Sequence, residues 1–207
     1  MPVLTVIAGP NGSGKSTLTA MLERMKIEFG VYLNADDIAR TLFGPPEWVS
    51  RKAQQIVRDR REAALSAGRD HAFETVMSHP SHIAYMAKAA ELGFEVRLFF
   101  VGTESPSINL DRVANRVLHG GHPVPPDRIV ERYHRCLENL PAAIRTAQIC
   151  YIFDNSSTDS PLSRLARIGP HLQLRHDRHN PQILPVWWLK ILTQINPINP
   201  FGDGILA

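Results

Sequence analysis

Gly9-Pro10-Asn11-Gly12-Ser13-Gly14-Lys15-Ser16 is the stretch on which the fold turns. It matches G-x-x-x-x-G-K-[ST] at every specified position. It also stands where that pattern has meaning, after the apolar run Val3 to Ala8 and before a helical segment opening in Gly14-Lys15-Ser16. Glycines let backbone N–H groups close around phosphate oxygens, and the helix N-terminus adds a favourable dipole. Lys15 is placed to reach the β- and γ-phosphates and the Ser16 hydroxyl to ligate Mg²⁺, with Thr17 ending the nucleotide-binding run. ATP or GTP is the expected ligand.

Outward from the loop, apolar strand-like runs alternate with helical patterns, the signature of an α/β fold with a mostly parallel sheet. Val31 to Ala35 reads as a second strand ending at Asp36-Asp37. Ser50 is placed to cap a long helix closed by Gly68. His71 to Thr75 reads as a third strand carrying Glu74 at its end, Ser81 to Leu92 as a helix closed by Gly93, and Phe94 to Val101 and Ile149 to Phe153 as two further strands. Between those last two, Ser107 to Ala147 has a different character: two Arg-rich helical stretches separated by the Gly- and Pro-dense run His119 to Pro126. The expected architecture is a three-layer P-loop NTPase fold with a mostly parallel sheet of about five strands and a helical, Arg-bearing lid. A core over 1–160 would include the lid at 107–147. A C-terminal extension, 161–207, would dock on it through an apolar helix around Ile183 to Ile195, and the tail past Asn196 is expected to be loose.

A chain of 207 residues with 43% hydrophobic and 21% charged content suits one domain with a substantial core. The two cysteines, Cys136 and Cys150, make no disulfide framework, which points to a reducing cytoplasm. No signal peptide is visible and no apolar run reaches the roughly 18 residues of a membrane span. A net charge of +3 suits an anionic substrate, but no basic block is dense enough to indicate nucleic acid.

Several side chains then carry chemistry. Asp36 and Asp37 stand at the carboxyl end of a strand, the edge where parallel sheets open their ligand crevice. A carboxylate there would accept the proton of an attacking hydroxyl, whereas the plainer role is to cap the helix expected near Ile38. Glu74 occupies the equivalent end of the third strand and would hold the Mg²⁺ water shell or touch substrate; pairing with a nearby arginine is the alternative. Arg112 and Arg116, like Arg128 and Arg132, are spaced i, i+4, so each pair shares a helix face. Two such faces across a Gly/Pro hinge describe a lid closing on phosphates, unless they are solvated faces paired with Asp111, Asp127 and Glu131. His119 and His122 make a weak metal site, as do His176 and His179. Trp187 and Trp188 belong to the docking helix or to a partner surface.

Taken together, the loop, Asn34-Ala35-Asp36-Asp37-Ile38-Ala39, Phe73-Glu74-Thr75, Arg112-Val113-Ala114-Asn115-Arg116-Val117, Gly120-Gly121-His122 and Tyr151-Ile152-Phe153-Asp154-Asn155-Ser156 resemble the zeta-toxin-like P-loop kinases. The resemblance is nearer to the compact bacterial branch described as predicted ATPases or kinases, and runs from about Val3 to Ser156. It implies γ-phosphate transfer from ATP or GTP to a hydroxyl of a small molecule, which in zeta toxins is the amino sugar of UDP-N-acetylglucosamine. By position, Asp36 would be the base, Glu74 would help hold substrate or Mg²⁺, and Lys15 and Ser16 would bind phosphates and metal. Arg116 and Arg132 would clamp the γ-phosphate. Thr75, Arg112 and Arg128 fall on the substrate side with Asp37, and an antitoxin protein is an implied partner. The chain departs from the toxins in its shorter length, in Thr75-Val76 after Glu74 where toxins have Gly-Thr, and in its Gly-Gly-His-Pro lid. All three touch the acceptor side. A nucleic-acid 5′-hydroxyl kinase and a non-catalytic nucleotide-dependent switch are the competing readings.

Overall fold

Val3–Ala8, the run preceding the phosphate loop, forms strand β1 and is almost entirely buried because the sheet covers it on both edges and helices cover both faces. The computed structural model describes residues 1–121, 123–170, 173–176 and 184–196. In chain order the elements are β1, α1 (Lys15–Arg24), β2 (Val31–Leu33), α2 (Ala35–Arg40), α3 (Pro46–Ser66), β3 (His71–Thr75), α4 (Ser81–Glu91), β4 (Glu95–Gly102), α5 (Pro106–Leu118), α6 (Pro126–Thr146), β5 (Ile149–Asp154), β6 (Ser163–Ile168), β7 (Leu174–His176) and α7 (Val186–Ile195). The strands order as β2-β3-β1-β4-β5-β6-β7 in one sheet. The first five are parallel, as the alternating pattern predicts; β6 and β7 add antiparallel to β5.

Alternation along each strand sorts side chains to two cores. Leu4, Val6 and Ala8 of β1, with Val96, Leu98 and Phe100 of β4, face the larger core. Ile7, Phe99 and Val101 face a smaller one closed by Leu18 and Leu22 of α1. Helix α6 supplies the larger core with Cys136, Leu140, Ala143 and Ile144, apolar positions recurring at helical spacing. Trp187, Trp188, Ile191 and Leu192 of α7 enter the same core, so this helix packs on the body of the protein as its apolar pattern suggests.

Several features differ from the sequence reading. β2 stops at Leu33, because Asn34 caps a helix at once, its side chain accepting from the Asp36 N–H at 2.8 Å. Asp36 and Asp37 therefore sit in the first turn of α2 and neither is its cap. The long helix α3 starts at Pro46 rather than after Ser50, since proline's fixed φ suits a first helical position. The segment past residue 160 contributes β6 and β7 to the sheet itself. His122, His179 and the tail past Asn196 lie outside the described residues.

Candidate active site

Because the first five strands are parallel, their carboxyl ends all open on one edge, and the candidate residues gather there. The loop Gly9 to Ser16 leaves β1 and turns into α1, whose N-cap Gly14 has φ 103° and makes no side-chain cap, leaving the first helical N–H groups facing the loop. Glycine is enforced by neighbours as well as by φ. A Cβ on Gly12 would stand 2.8 Å from the Asn109 carbonyl oxygen, and one on Gly14 would collide with the Asn155 side chain. Those two asparagines brace the loop. Asn155, just past β5, donates to the Ser13 carbonyl at 2.8 Å, and Asn109 of α5 donates to the Asn11 carbonyl at 2.5 Å. Asn109 is itself held by Thr103, whose carbonyl accepts from the Tyr133 hydroxyl.

Lys15 donates to the carbonyls of Gly9 and Pro10 at 3.0 Å each. Burial pulls its pKa below the ordinary lysine value, while Glu74 and Asp36 oppose the shift and Arg116 adds to it. Its field thus has contributions from acids on α2 and β3 and from an arginine on α5. Several polar atoms at this place are buried without partners: Asn11 Oδ1, Ser13 Oγ and Arg112 Nη1. Buried polar groups are normally satisfied, so orphans in a phosphate-loop sequence mark where a ligand's oxygens and protons fit.

Glu74 takes hydroxyls rather than an arginine. Its Oε1 accepts from Thr19 and from Tyr32, each at 2.7 Å, and its Oε2 accepts from Ser16 at 3.4 Å. Burial, and then Glu74, raise the Tyr32 pKa above the usual phenol value, so Tyr32 stays a donor. Two hydroxyls thus fix one carboxylate oxygen and leave the other beside Ser16. A hydroxyl and a carboxylate together are a donor set that suits Mg²⁺, which keeps several waters and takes further ligands from phosphates.

Asp36 and Asp37 line a cavity of about 210 Å³ together with Ser16, Thr19 and Glu74. Asp37 is engaged by Arg40 at 3.0 Å, and that leaves Asp36 as the acid within electrostatic reach of Lys15. A second cavity of about 470 Å³ shares Tyr32, Asn34 and Asp37 with the first and continues to Ile56 and Arg60 of α3. Thr75, buried, turns its hydroxyl to the Met77 N–H at 2.9 Å and does not enter either cavity's lining. Thr17 lies exposed on the first turn of α1.

The lid arginines divide. Arg112 is half-buried and Arg116 exposed, and Arg116 is the one that senses Lys15. On α6, Arg132 is half-buried and one turn from the buried Cys136, whereas Arg128 is exposed. Glu131 pairs with Arg135 at 2.9 Å and not with the arginines of the two i, i+4 pairs. Tyr32, Thr19, Asn109 and Asn155 are site residues that the sequence reading passed over. A hydroxyl or amide outside a motif has no spacing signature, and only the fold brings these four to the loop.

A loop of this geometry at the carboxyl edge of this sheet defines a P-loop protein. A model of the zeta toxin family matches residues 1–160, and the chain belongs to that family. It is 31% identical over 126 residues to an uncharacterized protein of Haemophilus influenzae, covering 60% of this chain and 88% of that one. Among solved structures it is similar in fold to AvrRxo1-ORF1 in its complex with ORF2 and ATP, with a TM-score of 0.64, 18% identity, and coverage of 86% of this chain and 61% of that one. The chain therefore spans about three fifths of that neighbour's length. A structure of the PezAT chromosomal toxin–antitoxin system of Streptococcus pneumoniae gives a TM-score of 0.58 at 15% identity, covering 81% of this chain and 72% of that one.

Proposed function

We propose that the protein transfers the γ-phosphate of ATP or GTP, with Mg²⁺, to a hydroxyl group of a small molecule. The observation that carries this reading is the cavity that Ser16, Asp36 and Glu74 line together at the end of the phosphate loop that bears Lys15. Phosphoryl transfer asks for positioning and charge neutralisation more than for a covalent nucleophile, and this set supplies both. Loop N–H groups and Lys15 hold the phosphates. Mg²⁺, carried by Ser16 with Glu74 behind it, would offset charge on the β- and γ-phosphates. Asp36 takes the proton of the acceptor hydroxyl as its oxygen bonds to the γ-phosphorus. The bond from that phosphorus to the bridging oxygen breaks, and the nucleoside diphosphate leaves with the electron pair. Arg116 and Arg132, and Arg112 with its unpartnered Nη1, neutralise the equatorial oxygens.

The larger cavity, which shares Tyr32, Asn34 and Asp37 with the smaller, would take the body of the acceptor. Membership in the zeta toxin family supports a UDP-N-acetylamino sugar as the first acceptor to test, and the toxin–antitoxin neighbour supports an antitoxin-type protein as a partner. Two unpaired buried cysteines suit action in the cytoplasm. The test is a screen of label transfer from γ-labelled ATP and GTP to sugar nucleotides, nucleosides and 5′-hydroxyl oligonucleotides. Labelled sugar nucleotide or nucleoside supports the reading. Label on oligonucleotides alone would replace it with nucleic-acid repair chemistry, and nucleotide binding with no transfer to any of them would replace it with a switch.

A further inference from the structure

Helix α7 lies beyond the residues 1–160 that the family match covers, yet its first turn reaches the root of the nucleotide site. The indole Nε1 of Trp187 donates to Asp154 Oδ1 at 3.0 Å, in the protein interior. The same carboxylate oxygen accepts from the Ser156 hydroxyl at 2.6 Å, and Ser156 Oγ accepts from the Glu104 N–H at 2.8 Å. The Glu104 carboxylate also comes near Val186, the first residue of α7. Glu104 lies at the start of the connection from β4 to α5, and so at the base of the lid. The Trp187 ring also lies so close over Gly102 that a Cβ could not be accommodated there. Between Asp154 and Ser156 sits Asn155, whose amide holds the Ser13 carbonyl of the phosphate loop.

We propose that Trp187 is a positioning residue for the nucleotide site: α7 clips the ends of β4 and β5 together, and through Asp154 and Asn155 it fixes the phosphate loop and the lid's base in their binding geometry. This rests on the nucleotide-site reading above. Packing alone would not need the link, as the neighbouring residue demonstrates. Trp188 is equally part of the core, fully buried, but its Nε1 has no hydrogen-bond partner.

That contrast provides the test. Trp187→Phe and Trp188→Phe each trim an indole to a phenyl on the same helix, but only the first removes the donor to Asp154. Both variants of the full chain are measured for thermal midpoint and, by calorimetry, for the Kd of a non-hydrolysable ATP analogue with Mg²⁺. Both are expected to melt earlier. Trp187→Phe is expected to bind the analogue about three- to tenfold more weakly, the size of effect that a coupled residue outside the ligand's reach produces. Trp188→Phe is expected to keep the wild-type Kd. Ser156→Ala, which cuts the branch running from Asp154 to the Glu104 N–H without entering the core, is expected to shift the Kd in the direction of Trp187→Phe. Wild-type affinity in Trp187→Phe or in Ser156→Ala, or equal weakening by the two tryptophan variants, would overturn the proposal. A wild-type chain that binds no analogue would overturn the nucleotide-site reading and this one with it.

Discussion

Asp36 and Asp37 are adjacent in sequence and separated by their partners. Arg40 holds Asp37, while Asp36 contributes to the electrostatic field on Lys15. Asp36→Asn is therefore expected to lower turnover by roughly 10²–10⁴-fold with little change in nucleotide affinity, the cost of removing a general base. Asp37→Asn is expected to leave turnover within a fewfold of wild type. Steady-state transfer kinetics on both variants check this, and the reverse pattern would make Asp37 the base. At this scale the sequence was legible where a motif fixes spacing, as at Lys15 and Ser16, and where an acid ends a strand, as at Glu74. Tyr32 was not legible, because nothing in Val31-Tyr32-Leu33 shows that its hydroxyl donates to a glutamate 42 positions away. That bond depends on β2 pairing in register with β3.

The elements that matter most for transfer are α5 and α6, joined across the Gly120-Gly121 hinge. Arg116 lies near the end of one and Arg132 near the start of the other. Arg116→Ala and Arg132→Ala are each expected to reduce turnover more than they weaken ATP binding, by roughly 10³-fold where the guanidinium acts directly in the transition state. Arg→Lys is expected to rescue poorly, because an ammonium lacks the planar fork. Single-turnover transfer measures this, and unchanged rates in both alanine variants would reduce the two arginines to a solvated face. The two lid helices were legible from proline and arginine placement, and the strands from their apolar runs. The start of the short helix α2 was not: a helix was expected only from near Ile38, because Asn34-Ala35 can end the strand as readily as Asn34 caps the helix. Strand β6 escaped notice because its run Ser163-Arg164-Leu165-Ala166-Arg167-Ile168 mixes charged with apolar residues and pairs antiparallel, outside the strand–helix alternation that reveals β1 to β5.

For the whole molecule, stability and chemistry are linked through groups the core has taken in. His82, on α4, has its pKa lowered to about 4, first by burial and then by Arg61 and His79 nearby. The unfolded chain therefore binds a proton between its ordinary pKa of about 6.5 and 4 that the native protein refuses, and stability falls as pH falls through that window. Denaturant melts from pH 7 to pH 4 are expected to show a loss on the order of 2 kcal/mol from this residue. His82→Gln is expected to flatten that slope, and an unchanged slope would assign the loss to other groups. The central claim, that this sheet edge transfers phosphate, is tested most directly by one measurement. Wild-type protein and Lys15→Ala are each mixed in excess over γ-labelled ATP with Mg²⁺ and the acceptor that the screen identifies, and the label is followed through a single turnover. Label is expected on the acceptor hydroxyl with the wild type and none with Lys15→Ala, at equal folded fractions. Label released only as inorganic phosphate, or transfer by Lys15→Ala at a near-normal rate, would contradict it.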